Sequence, residues 1–532
     1  MDFAGFHFVE FVVDEHHSFI ASFLMFFIRD LGPIARPSQT WQFSVVLLSG
    51  LVLSGCMVAP EPMTNAQLSQ AAQDRVADIY EGQEPVKGSI DLGEAMARAV
   101  LYNLEDRVQQ AEYLLRSTEL ASANVAMLPG LTAGAGRTLR NKVDASSSYN
   151  IGQKLNNFSA STSQDERLNT ANTALAWNVL DLGLSYVRAK QAADQVLVAQ
   201  ERRRRVLAHL IEDVRTVYWR ALAAEYLARE LPKVEARAKA ALEQSRVLIK
   251  DGNVSPLTAL AYQKEIYEIQ DRVQSVQTEV VTAKAQLASL MNLPPGTNFS
   301  LVRPKAEISG RLPDTKSMFE SALEFRPDVR EALYQERIES KGQAIALLET
   351  LPSINIFLNA NTTSNSYTLN KEWLGYGAQA SWNLMKVFTL PLRQSEVEAK
   401  ENLVRERARA LVASVALQVV ISRDRYAQAR RRLQTSRDFE SVQRELLEQL
   451  QASTSAARSG DQELVREELS ALLAHARYDM ALAEVHAAWA VVQTSMGRDP
   501  YPEISSDLSE LKSAFRAKLE GRAVPARVVS NE

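Results

Sequence analysis

Cysteine is nearly absent from this chain: Cys56 is the only one in 532 residues, which excludes an intrachain disulfide. Glycine and proline are also sparse, 21 and 18 residues, as expected of a chain that is mostly helix. The net charge is only −4, so there is no electrostatic case for nucleic acid or an anionic membrane as partner. Beyond residue 60 no run of about 18 apolar residues occurs, which excludes a membrane-spanning helix from the mature body. Neither G-x-x-x-x-G-K-[ST] nor G-x-S-x-G is found, leaving nucleotide-driven work and hydrolase chemistry without support. His209, His475 and His486 stand singly, and His16-His17 has no further ligand at suitable spacing. No enzyme activity, cofactor or metal is expected.

What the chain does have is one stretch that occurs twice. After Leu351-Pro352, residues 354, 356, 358 and 360 are apolar and 353, 355, 359 and 361 polar, with Phe357 breaking the alternation. A polar bend follows, then Tyr376, Ala378, Ala380, Trp382 and Leu384 alternate with Gly377, Gln379, Ser381 and Asn383. Period two in both arms predicts a β-hairpin with strands of about nine residues. Leu128-Pro129 stands 223 positions before Leu351-Pro352, and Trp177-Asn178 stands 205 before Trp382-Asn383. The first hairpin is therefore 18 residues longer, and the excess, rich in Ser and Asn, is expected to be loop.

Strands with one apolar and one polar face, about 9 to 11 residues long, suit a bilayer crossing with lipid outside and water inside. Hydrocarbon tolerates no unpaired strand edge, so such a sheet must close. Four strands cannot close alone when the smallest membrane barrels use about eight. The missing strands must come from other copies of the chain. A soluble cap on a periplasmic coiled-coil scaffold lipoprotein is the alternative, although it would not need the alternation on all four strands.

Between the hairpins the pattern is helical over unusual lengths. Helix is expected from Asp91 to Leu128, from Leu184 to Lys250 interrupted at Pro232, and from Leu257 to Asn292. In the second half it is expected from Thr315 to Thr350, from Leu392 to Ser459 free of proline, and from Leu464 to Met496. The longest would run on the order of 100 Å at about 1.5 Å per residue. The expected organisation is a signal region with a doubtful N-terminal extension over 1–55, then a lipid anchor and extended tether over 56–90. A first repeat over 91–292 carries hairpin 131–180 and a tip near 252. After a linker over 293–314, a second repeat over 315–498 carries hairpin 353–384 and a tip near 460. Residues 499–532 are a tail. Arg202–Arg205 and Arg430–Arg432 lie within helices that also carry acidic residues, so inter-helix ion pairs are expected of them rather than nucleic-acid binding.

Arg36 followed by the apolar run from Phe43 to Val52 has the layout of a secretory signal. The charged, aromatic segment from Phe3 to Phe27 ahead of it suggests a start called too early, with Met25 or a later residue as the origin. Leu53-Ser54-Gly55-Cys56 resembles the lipobox of bacterial lipoproteins, which implies lipidation at Cys56, palmitate included. Met57 in place of aspartate implies sorting to the outer membrane.

The paired Leu-Pro and strand-turn-strand units ending in Trp-Asn, with long helices turning at Gly252 and Gly460, resemble the outer membrane efflux protein (TolC-like outer membrane factor) family, lipoprotein branch. The likeness runs over about residues 90 to 500. It implies a mostly α fold with a small β part: a long α-helical barrel topped by a transmembrane β-barrel shared between protomers of a homotrimer. It also implies a passive exit channel of a tripartite efflux or type I secretion system, lipid-anchored in the cell outer membrane and extending into the periplasm. Its partners would be a periplasmic adaptor (membrane fusion) protein and an inner-membrane pump of resistance-nodulation-division or ABC type. By the same resemblance the docking tips are Gly252, Asn253, Val254, Ser255, Pro256 and Leu257, and Gly460, Asp461, Gln462, Glu463 and Leu464. The family often places an acidic constriction six residues past the second tip glycine. Arg466 stands there, so Glu467 or Glu468 is expected to carry the role, against a plain solvated helix face. Trp177, Trp373, Tyr376 and Trp382 are expected in the aromatic girdle of a membrane barrel, against cross-strand packing in a soluble sheet.

Overall fold

The computed structural model describes residues 60–152, 155–251, 255–304, 312–454, 461–498 and 507–520. Cys56 and the signal region before it, and the tip residues Gly252, Asn253, Val254 and Gly460, lie outside the described residues. The chain divides into two compact units, Met1–Val76 and Ala77–Glu532.

The stretch expected as an extended tether contains a helix, α1 (Asn65–Tyr80), with no buried residue. Its start is a capping box. The Gln67 amide donates to Thr64 Oγ1 at 3.3 Å while the Thr64 amide donates to Gln67 Oε1 at 2.9 Å, so two otherwise orphaned amides are satisfied reciprocally. Scattered prolines on either side had hidden that signal.

The larger unit starts with β1 (Ser89–Ile90), α2 (Leu92–Tyr102) and α3 (Leu104–Val125). One continuous helix was expected here, but Asn103 divides it. Extended at φ −65° and ψ 129°, Asn103 caps α3 by accepting from the Glu105 and Asp106 amides. The first hairpin is β2 (Gly130–Leu139) and β5 (Arg167–Asn178). The excess expected to be loop holds a second antiparallel ribbon, β3 (Ala145–Asn150) and β4 (Leu155–Thr162), so the chain has more than four strands.

Next come α4 (Val179–Lys250), which keeps Pro232 inside it, and α5 (Pro256–Leu290). The linker contributes β6 (Ser300–Leu301), which pairs in parallel with β1. Buried Tyr218 of α4 ties that pairing down through hydrogen bonds to the Ile90 and Val302 backbone, the former at 3.0 Å.

The second helical approach is three helices, α6 (Thr315–Phe325), α7 (Pro327–Ser340) and α8 (Gly342–Leu348). Arg326 is held extended by the proline after it, which ends α6 and starts α7. The strands β7 (Ser353–Thr363) and β8 (Glu372–Ser381) follow, then α9 (Leu384–Thr454) and α10 (Asp461–Ser495). α9 starts eight residues before the expected Leu392 and absorbs Pro391. As the eighth residue of α9, Pro391 lies past the first turn, so the helix there lacks one ladder bond and accommodates the proline ring against the carbonyl four residues before it.

The expected tail contains α11 (Leu508–Leu519), which packs on α2. Leu508, Leu511 and Phe515 enter the same buried cluster as Ala95, Met96 and Val100, and Arg516–Asp91 and Lys512–Glu94 ion pairs flank it.

The long helices are laid side by side. α3 and α5 both pack on α4, while α7 and α10 both fit between α4 and α9. Two further buried clusters bind this layer. One joins α4, α5 and α10 around Leu227, Ile266 and Leu469; the other joins α6, α7, α9 and α10 around Met318, Val419 and Val492.

Candidate membrane wall and helical end

The four long strands form one antiparallel sheet in the order β2-β5-β7-β8, so both hairpins join through the β5–β7 pairing and the outer edges of β2 and β8 have no partner strand among the described residues. Register assigns the faces. Leu131 opposes Leu175, Leu175 opposes Leu358, and Leu358 opposes Tyr376, an apolar row across all four strands. Parallel to it run Trp177, Ile356 and Ala378, and Ala133, Thr173, Ala360 and Leu374. These side chains point to open solvent: Leu131 is 70% exposed, Leu374 71% and Tyr376 84%. An exposed sheet face on which Thr173 is the one polar residue in three successive rows marks a surface suited to another apolar phase.

The other face carries Asn172, Asn355, Asn359, Asn361 and Gln379, and it is crowded. A Cβ on Gly375 would fall within 3.2 Å of Asn359 Cγ, and one on Gly377 would lie 2.8 Å from Phe357 Cζ. Phe357, the residue that broke the alternation, therefore spreads its ring over a glycine on the neighbouring strand, and Asn359 does the same two residues on. Such gaps let the polar face draw inward and the sheet curl, the function of glycine in curved sheets.

The aromatics divide by position. Trp177 sits on the apolar face at the end nearest the helices, and Trp382 lies just past β8, its indole donating to the Thr350 carbonyl at 2.9 Å. Tyr376 is level with mid-sheet Leu358. Trp373 departs from the expected girdle: it opposes Asn361 and so belongs to the polar face at the far end. The alternation counted back from Tyr376 places Trp373 on that face, a signal that residue type alone obscured. At that far end the loops are tied together. Asp165 accepts from the Ser366 amide and hydroxyl, both at 2.7 Å, and Asn365 donates to the Ser163 carbonyl.

At the opposite end, Ser255 precedes α5, Pro256 occupies its first turn, and Leu257 is 79% exposed. Asp461 and Gln462 open α10, Glu463 is exposed and Leu464 half-buried. The next positions do not form a free acidic face. Arg466 reaches Glu265 of α5 at 3.8 Å and also pairs with Glu463 and Glu467. Glu467 accepts from Gln443 of α9 at 2.6 Å, and Glu468 pairs with Arg237 of α4. Successive residues of a helix point about 100° apart, so three consecutive side chains tie α10 to three different helices.

Further along α10, His475 lies between Glu440 of α9 at 3.3 Å and Asp479 at 3.4 Å. Hydrogen bonding to Asp479, reinforced by Glu440, lifts its pKa above the usual histidine value. Burial pushes Asp479 up, but hydrogen bonds from His475 and Arg303 outweigh it and hold the carboxyl below the usual range. His486, stacked on Trp219 at 3.6 Å, is driven by burial to about 3 and stays neutral. The arginine run is spent on carboxylates: Arg202 and Arg205 meet Glu331 of α7, Arg203 grips Asp106 of α3 through two bonds of 2.9 Å, and Arg204 pairs with Glu201. Among the described residues no group of acidic, histidine and cysteine side chains could hold a metal, and no helix is long and apolar enough to cross a membrane.

No family model and no curated protein matches the chain. Solved structures do. The outer-membrane channel OprN aligns at a TM-score of 0.60 and 16% identity over 76% of this chain and 89% of its own. The CmeC outer membrane channel of Campylobacter jejuni aligns at 0.60 and 10% identity over 86% and 97%. The open state of the MtrE outer membrane channel of Neisseria gonorrhoeae aligns at 0.57 and 14% over 77% and 90%. With this sheet, these long helices and near-complete coverage of all three, the chain has the fold of the TolC-like outer-membrane channels.

Proposed function

We propose that the chain is one subunit of an outer-membrane exit channel of the TolC-like outer membrane factor family. The observation that carries the reading is the four-stranded sheet with its apolar face exposed, its polar face crowded by asparagines, and both edges unpaired among the described residues. Each open edge continues into helices with exposed apolar side chains. Val108, Leu114 and Leu115 lie on α3 beside β2, and Phe388, Leu392 and Leu403 lie on α9 beside β8. Edge and helix together form a surface for another copy, and three copies, as in the family, would close a β-barrel in the membrane above an α-helical barrel in the periplasm. Its aqueous interior would be the Asn-rich face.

In this reading Cys56 carries the lipid anchor. The tips at 252–257 and 460–464 dock a periplasmic adaptor, and an inner-membrane pump of resistance-nodulation-division or ABC type supplies the energy. The channel itself is a passive duct that the adaptor opens by dilating the helical end. Opening would exchange the partners of Glu467 and Glu468. Glu467→Ala and Glu468→Ala should raise the resting single-channel current; equal currents in both would remove these residues from the gate. A periplasmic scaffold without a pore would leave the apolar sheet face in water, against the cost of that exposure.

The test is purification in detergent followed by planar-bilayer recording. A heat-resistant trimer with ohmic conductance is expected. A monomer that never conducts would end the proposal.

A further inference from the structure

Where α10 ends beneath the start of α7, the slot between α4 and α9 is not filled. A cavity of about 920 Å³ lies there, within the size range of sites for drug-sized ligands. Its lining is unbalanced in charge. Arg204, Arg205, Arg326, Arg425 and Arg498 face it against two carboxylates, Asp328 and Glu212.

Three of the guanidinium groups are occupied. Arg326 grips Asp328 through bonds of 3.0 and 2.6 Å, Arg205 is held by Glu331, and Arg204 by Glu201. Two have no carboxylate partner among the described residues: Arg498 donates its Nε to the Ser321 hydroxyl at 2.9 Å, and Arg425 has no ion pair there. They approach from different elements, Arg425 from α9 and Arg498 from the chain just past α10. The same lining supplies apolar surface from Phe325, Pro327, Ile421 and Val491 beside the polar Gln418, Ser422 and Thr494.

We propose that this cavity binds an amphiphilic organic anion, its acid group between Arg425 and Arg498 and its apolar body on Phe325, Ile421 and Val491. Guanidinium forks suit carboxylate, sulfonate and phosphate heads because two parallel N–H bonds match two oxygens. An inorganic anion would satisfy the charge but leave the apolar wall and most of the volume to water. An occupant would bridge α4 and α9 at the level where α7 and α10 meet.

The test is isothermal titration of the full-length protein in non-ionic detergent with 2-naphthalenesulfonate, and in parallel with neutral 2-naphthol and inorganic phosphate. One sulfonate per chain is expected, bound at least tenfold more tightly than either comparison ligand. Arg425→Ala with Arg498→Ala should weaken it at least tenfold, whereas Arg423→Ala, on the same helix outside the cavity, should not. Equal binding of 2-naphthol or phosphate, an unaffected double variant, or an equal loss in Arg423→Ala would each overturn the proposal. Circular dichroism of the variants distinguishes lost binding from lost folding. If the double variant unfolds, Ile421→Asn must weaken the sulfonate more than phosphate, or the proposal fails.

Discussion

The two ends of the larger unit solve the same problem in opposite ways. In the sheet, apolar side chains face outward and polar ones crowd inward. Among the helices, apolar residues such as Leu227, Ile266 and Leu469 are buried, and charged residues sit at the seams. Inverted packing at one end and ordinary packing at the other, within one polypeptide, indicate two different solvents. On the proposed reading the helical end meets water and the sheet meets a phase that offers no hydrogen bonds, where each unmade backbone bond costs several kcal/mol.

Substitutions can break that contrast, and the largest effect is expected among the helices. Asp106→Ala leaves the partly buried Arg203 guanidinium without its bidentate partner and should cost about 3 to 5 kcal/mol. A lowered melting temperature in detergent checks it, and adding Arg203→Leu should restore part of the loss. Next is Leu358→Arg, which puts a charge in the middle of the apolar face and should cost about 2 to 4 kcal/mol if lipid lies there. Gln379→Arg on the polar face should be tolerated; equal loss of heat-resistant oligomer in both would abolish the distinction between faces.

Gly377→Val sharpens the account of curvature. The new side chain collides with the Phe357 ring and should cost about 1 to 3 kcal/mol, with Phe357→Ala in the same chain relieving it. Failure of that rescue would mean the ring is not what the glycine accommodates.

The smallest effect is expected at His475. Its pKa is raised in the folded chain, so its contribution to stability is complete below the ordinary imidazole value of about 6.5 and is lost as pH rises through the higher folded value. The wild type should lose melting temperature between mildly acidic and mildly alkaline pH, and His475→Gln should lose less. Parallel slopes would show that the clamp between Glu440 and Asp479 does not depend on the proton.

Much of the sheet could be read directly from the sequence, because a two-residue period leaves few alternatives once Leu-Pro and Trp-Asn mark the ends. The long helices were equally plain. Subdivisions were not. Asn103 looks like any polar residue until its side chain is seen to cap two amides, and Pro391 reads as a helix breaker although α9 runs through it. α11 was missed because a helix of twelve residues with three apolar anchors acquires meaning only against α2. The acidic pair Glu467-Glu468 was legible as a functional candidate, but its partners come from residues more than 20 and 200 positions away, a distance that no local pattern spans. The glycines opposite Phe357 and Asn359 were visible, yet only strand register reveals what they accommodate.

The three tethers of α10 also set how the helical end can yield. A neighbour sliding along its axis strains one tether and leaves two, so that displacement is graded. A turn of α10 about its own axis carries Arg466, Glu467 and Glu468 away from all three partners at once. The helix thus resembles a key in a three-pin lock, stiff toward pushing and cooperative toward twisting.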